Sequence, residues 1–140
     1  MEIKNEVLPT EYVSLRNRSG MSKRYLEHAE KALKNSLFKI GIYEKNELIA
    51  FGRVAGDGYI TFVVTDIMVD KDYQRKGYGT IVMQNIDEYL TKTSHEDSYI
   101  LLIAKKPADK LYSKFKFCYL DETRCGMLRK NKVADRKSVV

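Results

Sequence analysis

The chain has 140 residues, 44% of them hydrophobic, and its 25 basic and 19 acidic side chains give a net charge of +6. It contains no run of about 18 apolar residues that could cross a membrane, and its charged N-terminus does not resemble a signal peptide. The sequence therefore predicts one soluble, cytoplasmic domain over residues 1–130 and a basic, flexible tail over 131–140.

The order of apolar and turn-forming segments predicts a mixed α/β (α+β) fold. The predicted elements are helices over 10–18 and 23–35, strands over 37–43, 48–54 and 59–69, a helix ending near 93, a strand over 99–104, a helix over 107–114, and strands over 117–120 and 127–129. Ser22 is the expected N-cap of the second helix. This order indicates a mostly antiparallel central sheet with helices on both faces.

The segment from Ile60 to Thr80 carries the strongest functional signal. A mostly apolar strand is followed by a polar break and then by Gln74-Arg-Lys-Gly-Tyr-Gly-Thr80, which opens an amphipathic helix. Two glycines let a ligand approach the backbone, and the amide groups at a helix N-terminus favour an anion. We therefore expect a phosphate cradle and a phosphorylated cofactor.

Other phosphate-binding motifs fit this segment poorly. A P-loop of the form G-x-x-x-x-G-K-[ST] is absent. The dinucleotide fingerprint G-x-G-x-x-G would need a third glycine where Val82 stands, and an acidic residue where the next strand ends in Lys105 and Lys106. The pattern that remains is [Gln/Arg]-x-x-Gly-x-Gly after a strand.

With Val69 five residues before Gln74, this pattern resembles the acetyl-CoA site of the GCN5-related N-acetyltransferase (GNAT) family. Residues 107–117 are similar to the family's late helix and strand, where a tyrosine precedes a Phe-Gly-Phe turn. Residues 16–21, 32–38 and 52–58 are similar to those of small, single-domain bacterial members. One difference is that Lys116 stands where the family usually has the glycine between two phenylalanines.

The resemblance implies an N-acetyltransferase domain that moves an acetyl group from acetyl-CoA to a primary amine of a small molecule or another acceptor. The amine would attack the thioester directly, and the pantetheine arm would enter a gap between the fourth and fifth strands. The amide of Ile67 would face the acetyl oxygen and that of Val69 the pantetheine. The residues implied to bind the cofactor are Ile67, Met68, Val69, Gln74, Arg75, Lys76, Gly77, Tyr78, Gly79 and Thr80.

Two side chains are candidates for catalysis. The resemblance implies that Tyr112 protonates the departing thiolate, and the alternative is a tyrosine that only packs. Asp66 lies beside Ile67 and could accept the amine's proton, directly or through water. The alternative for Asp66 is a carboxylate that orients the substrate or is only hydrogen-bonded. The expected walls of the acceptor pocket are Arg16, Ser19, Met21, Tyr25 and Phe38.

Two other functions are compatible with the sequence. One is a non-catalytic module that senses acyl-CoA, and the other is a nucleic-acid-binding domain driven by the charge of +6. We expect no nucleic-acid partner, because the basic residues are not interleaved with aromatic residues on one face. With His28 and His95 as the only histidines, we expect no metal site. We expect no membrane partner, and a homodimer is compatible with the sequence.

Overall fold

A computed structural model describes residues 1–131, so nearly all of the predicted basic tail lies outside the described residues. The elements are β1 (Glu2–Lys4), α1 (Pro9–Arg18), α2 (Leu26–Lys34), β2 (Phe38–Glu44), β3 (Glu47–Gly56), β4 (Thr61–Val69), a 3₁₀ turn (Lys71–Tyr73), α3 (Tyr78–Thr93), β5 (Tyr99–Leu101) and α4 (Asp109–Ser113). Within the described residues, every helix is too short or too polar to span a bilayer.

The five strands form one sheet in the order β1-β2-β3-β4-β5. The first four are antiparallel to their neighbours, and β5 runs parallel to β4. The long connection between β4 and β5 contains α3, as a parallel crossover requires. The predicted mixed, mostly antiparallel sheet is confirmed.

Helices cover both faces of the sheet, as predicted. On one face α1 and α2 bury an apolar cluster that includes Tyr12, Leu15 and Leu33 against Phe51 and Met68. On the other face α3 and α4 complete a larger cluster. Its fully enclosed members from α3 and the sheet include Val82, Met83, Ile86, Ile40, Val54 and Phe62.

A β-bulge in β4 changes which residues face each helix layer. Phe51 pairs with Met68 and Arg53 pairs with Thr65, so two residues of β4 stand opposite Gly52. The alternation that places Phe62 and Val64 on the α3 face therefore continues at Ile67 and Val69, and Asp66 turns toward α1. A Cβ at Gly52 would lie 2.6 Å from Val82 Cγ1, so only glycine lets α3 pack this closely opposite the bulge.

Several predicted boundaries are wrong. The second helix begins at Leu26 rather than Lys23, because the Ser22 side chain and carbonyl accept hydrogen bonds from Arg16. The strand β1 was not predicted, and β5 ends at Leu101 rather than 104. Residues 117–120 and 127–129 form no strands, because these apolar runs pair with no strand of the described sheet.

Candidate active site

The site is built where β4 and β5 separate. The two strands pair only from Thr61 with Tyr99 to Val63 with Leu101, and beyond these three pairs they diverge. A cavity of about 630 Å³ lies in the gap. Backbone N–H groups of β4 that point toward the gap have no partner strand there, so they can donate hydrogen bonds to a ligand. The gap that the resemblance implied is therefore present.

Three parts of the chain enclose this cavity, which we call the gap cavity. They are β4 with the first cradle residue, the segment from β5 into α4, and the end of α1 with the connection to α2. The lining residues are 63–69 and Gln74, then 102–103, 105–108 and Tyr112, and finally Arg16, Ser19, Gly20, Met21, Ser22 and Arg24.

The predicted cradle presents a row of free backbone donors. The seven successive amides from Gln74 to Thr80 donate no hydrogen bond to residues 1–131, and the first bonded amide is that of Ile81, to Gly77 O at 3.2 Å. Arg75 (φ 64°) and Gly77 (φ 91°) have left-handed conformations that turn neighbouring amides toward one side. No described atom lies within 4 Å of the position a Gly77 Cβ would occupy. The geometry fits the pyrophosphate of a nucleotide cofactor.

Side chains of the cradle hold it in place. Gln74 Nε2 donates to Val69 O at 3.0 Å, which explains the spacing of five residues between the end of β4 and the glutamine. The Tyr78 hydroxyl donates to Glu44, and its ring packs edge-on against Tyr73. Gln74 and Tyr78 therefore stabilise the cradle, while its backbone amides stay free to bind a ligand.

Asp66 is held in a buried ionic cluster. We call Asp66, Arg16, Arg53 and Tyr12 the Asp66 cluster. Asp66 accepts from Arg16 Nη1 at 3.0 Å, from Arg53 Nε at 2.7 Å and from the Tyr12 hydroxyl at 2.6 Å. The side chains of Arg16 and Asp66 are only 2% and 8% exposed. The left-handed conformation of Asp66 (φ 57°) in the bulge directs its carboxylate to this side.

The surroundings of Asp66 favour its charged form. Desolvation by burial alone would raise its pKa, but the hydrogen bonds from Tyr12 and Arg53 and the charges of both arginines outweigh it. The net pKa lies below the ordinary value of an aspartate, which weakens Asp66 as a base at neutral pH. Its role as a general base stays a prediction, and the contacts favour a fixed anion that positions Arg16.

The sequence did not indicate Tyr12 or Arg53 as part of the site. Arg53 pairs with Thr65 in the β3–β4 ladder, one residue before Asp66. The apolar alternation by itself would place Asp66 on the opposite face of the sheet from Arg53, and the bulge brings the two side chains together. Tyr12 lies 54 residues from Asp66, and no local pattern connects the two.

The predicted acceptor residues separate into two groups. Arg16, Ser19 and Met21 line the gap cavity. Phe38 instead stacks on Tyr89 with ring centroids 4.6 Å apart, under α3. Tyr25 is 62% exposed and packs against the His28 ring. Neither Phe38 nor Tyr25 lines the gap cavity, so their place in the acceptor wall stays a prediction without support from its lining.

Tyr112 lines the gap cavity while its ring packs in the larger apolar cluster. Its hydroxyl bonds to no group of residues 1–131, yet none of their buried polar side-chain atoms lacks a partner. The hydroxyl is therefore not sealed inside the protein, and no described group occupies it. Burial raises the pKa of Tyr112, so the hydroxyl keeps its proton at neutral pH. These properties suit the predicted proton donor, whose role stays a prediction.

Lys116 has the backbone conformation that glycine adopts readily. Its φ is 73°, and its Nζ lies 3.7 Å from Asp87 Oδ1 with the side chain 77% exposed. The turn after α4 is therefore compatible with lysine, at the cost of a left-handed conformation.

Known protein families and solved structures resemble this chain. The model of the Acetyltransferase (GNAT) family matches residues 5–117. An uncharacterized N-acetyltransferase, ycf52, of Porphyra purpurea is 30% identical over 102 residues. That match covers 70% of this chain but only 58% of the Porphyra purpurea protein, so the chain spans little more than half of this relative.

Solved structures extend the similarity. A Staphylococcus aureus protein of unknown function, described as a probable acetyltransferase, is 42% identical with a TM-score of 0.87, over 92% of this chain and 98% of its own. The Escherichia coli ribosomal-protein-S18-alanine N-acetyltransferase has a TM-score of 0.70 at 16% identity, over 86% of this chain and 79% of its own. The second similarity shows the fold alone.

Proposed function

The chain belongs to the acetyltransferase (GNAT) family, and we propose that it moves an acetyl group from acetyl-CoA to a primary amine of a small molecule. Membership of the family supports acetyl transfer in general. The donor, the class of acceptor and the residue roles below are parts of the proposal.

The observation that carries the proposal is the continuity between the cradle and the gap cavity. Gln74 lines the cavity and begins the row of free amides, so a ligand bound at the amides can extend directly into the gap. The gap has apolar walls from β4 and from Leu102 and Ile103, with Tyr112 on one side. This shape suits a long, flexible arm that ends at a reactive group.

The chain's own groups have separable parts in the proposed reaction. Acetyl-CoA would supply an acetyl group activated as a thioester, which the amine attacks directly. The amides from Gln74 to Thr80 would bind the pyrophosphate, with Arg75 and Lys76 adding positive charge. The amides of Ile67 and Val69 would donate to the acetyl oxygen and to the pantetheine. Tyr112 would give its hydroxyl proton to the leaving sulfur, and its oxygen would take back the proton that the amine nitrogen loses as the amide forms, directly or through water.

Asp66 would act by position. Its lowered pKa keeps it ionised, and its bonds to Arg16 and Arg53 fix one wall of the gap cavity.

A second candidate function, an acyl-CoA sensor without catalysis, is supported by the same contacts. Asp66 is the only carboxylate among the described lining residues, so the cavity offers no unpaired base.

One experiment separates the two candidates. The protein is incubated with acetyl-CoA and a mixed library of amines, the release of free thiol is followed, and products are identified by mass. We expect amine-dependent thiol release and an acetylated product. Binding of acetyl-CoA, measured as a raised melting temperature, without consumption by any amine would support the sensor instead.

A further inference from the structure

We propose that the acceptor carries an anionic group, a carboxylate or a phosphate, close to its amine. This inference rests on the proposed acetyl transfer and adds the chemical class of the acceptor. Its basis is the charge of the gap cavity, which is positive once the internal ion pairs are accounted for.

Asp66 contributes no free negative charge to the cavity. It is the single carboxylate among the described lining residues, and it is bonded to Arg16 and to Arg53, which lies outside the lining. Arg16, which also lines the cavity, is neutralised by its ion pair with Asp66. The ionised lining residues that remain are Arg24, Lys105 and Lys106, which we call the cationic wall.

The residues of the cationic wall come from two separate segments of the lining. Arg24 lies in the connection from α1 to α2, whereas Lys105 and Lys106 follow β5. Arg24 Nη1 donates to Ser22 Oγ at 2.8 Å and to Lys23 O at 3.2 Å, which orients the guanidinium without a carboxylate. No carboxylate of residues 1–131 lies within 4.0 Å of the charged nitrogens of these three side chains. A cleft lined by one sign of charge concentrates ligands of the opposite sign.

The cofactor's phosphates have a separate set of positive groups. Arg75 and Lys76 belong to the cradle and do not line the gap cavity, and Gln74 is the single cradle residue that does. A pyrophosphate at the free amides would therefore be neutralised by the cradle and the dipole of α3. The cationic wall remains available to the second substrate.

A positive cavity also acts on the amine itself. Nearby positive charge lowers the pKa of an ammonium group and so favours the neutral amine that can attack. This compensates for the absence of an unpaired carboxylate base in the described lining. The same charge repels acceptors that are only cationic, so an anionic group on the acceptor supplies the attraction that brings the amine in.

The test uses pairs of amines in which one member carries an anionic group that the other lacks. The pairs include phenylalanine with 2-phenylethylamine and glucosamine 6-phosphate with glucosamine, and spermidine serves as a purely cationic acceptor. We expect kcat/KM for thiol release from acetyl-CoA to favour the anionic member by about tenfold or more, because charge-assisted hydrogen bonds contribute that much. Preferred turnover of the neutral members or of spermidine would overturn the inference.

Binding provides a readout that does not need turnover. In protein saturated with coenzyme A, anionic members should raise the melting temperature and their neutral partners should not. If this pattern appears but no amine releases thiol, the anion site stands and the proposed transfer fails. If amines are acetylated and no anionic compound is preferred or raises the melting temperature, the transfer stands and this inference fails.

Variants assign the effect to the cationic wall. Arg24→Gln and Lys105→Gln should each raise KM for anionic acceptors about tenfold, with little change for neutral ones. Lys23→Gln and Lys110→Gln are matched controls, because both lysines are exposed neighbours that do not line the gap cavity. Weakened coenzyme A binding in Arg24→Gln and Lys105→Gln, with the acceptor preference unchanged, would assign these cations to the cofactor and overturn the inference.

Discussion

The cradle and the Asp66 cluster are built from polar groups in two different ways. The cradle uses backbone amides of seven successive residues. The Asp66 cluster uses side chains from α1, β3 and β4, with partners up to 54 residues apart. A site made of consecutive amides can be recognised from a short pattern, whereas a cluster of distant side chains depends on strand register and helix packing. The two regions should therefore respond differently to substitution.

The largest effect should come from breaking the Asp66 cluster. Asp66→Asn removes the charge that compensates Arg16 and Arg53, and leaving a buried charge unpaired costs about 3–5 kcal/mol. We expect a loss of this order in the free energy of unfolding, measured by denaturant titration. Asp97→Asn, at an exposed position, should change it by less than about 0.5 kcal/mol. A fully stable Asp66→Asn protein would show that the cluster does not stabilise the fold.

The same variant should alter the dependence of stability on pH. The folded-state pKa of Asp66 is lowered, so its contribution is present above its unfolded pKa and is lost as pH falls through the folded pKa. Below about pH 4, the wild-type unfolding free energy should therefore fall more steeply than that of Asp66→Asn. Parallel curves from pH 6 to pH 2 would contradict the assignment.

The next largest effect should come from removing the proposed proton donor. Tyr112→Phe keeps the ring in the apolar cluster and deletes the hydroxyl, so turnover should fall about 100-fold while the shift in melting temperature with coenzyme A persists. Tyr59→Phe is the control, because Tyr59 is 72% exposed. Full turnover of Tyr112→Phe, where chemistry limits the rate, would make Tyr112 a packing residue.

A smaller effect should distinguish the cradle from an ordinary turn. Gly77 and Gly58 have similar φ angles, 91° and 85°, and a Cβ at either would meet no described atom closer than 3.5 Å. Alanine at either position should cost about 1 kcal/mol of stability. Gly77→Ala alone should weaken coenzyme A binding, by about tenfold, because its methyl group occupies the ligand's side of the amides. Equal affinities in a titration would remove the cradle from the cofactor site.

Gly77 is a cleaner test position than Gly79. A Cβ at Gly79 would lie 3.3 Å from Leu111 Cδ2, so a larger residue there also disturbs the packing of α3 against α4. A loss of affinity in a Gly79 variant would therefore combine two causes.

The smallest effect should come from Lys116→Gly. Glycine relieves the left-handed conformation but increases the entropy of the unfolded chain, so the protein should gain less than about 1 kcal/mol. The exposed contact with Asp87 contributes little. Turnover should not change, because the turn already has a backbone conformation that glycine accepts. A large change in turnover would show that Lys116 helps to position Tyr112.

Local patterns predicted most of the element order. The helix of α1, the hairpin of β2 and β3, the strand before the cradle and the start of α3 all follow from periodicity and turn residues within short windows. The predicted strands over 117–120 and 127–129 were wrong, because a strand requires a partner and the apolar runs in this segment have none in the described sheet.

The sequence by itself determined the cradle, because glycines, a strand end and a helix start act through the backbone of consecutive residues. Only the tertiary structure decided where Asp66 points. Strict alternation along β4 would place Asp66 with Phe62 and Val64 under α3, where an aspartate would be buried without partners. The bulge opposite Gly52 turns it instead toward Tyr12 and Arg16. That choice depends on the register between β3 and β4 and on the packing of α1, which no local window of sequence contains.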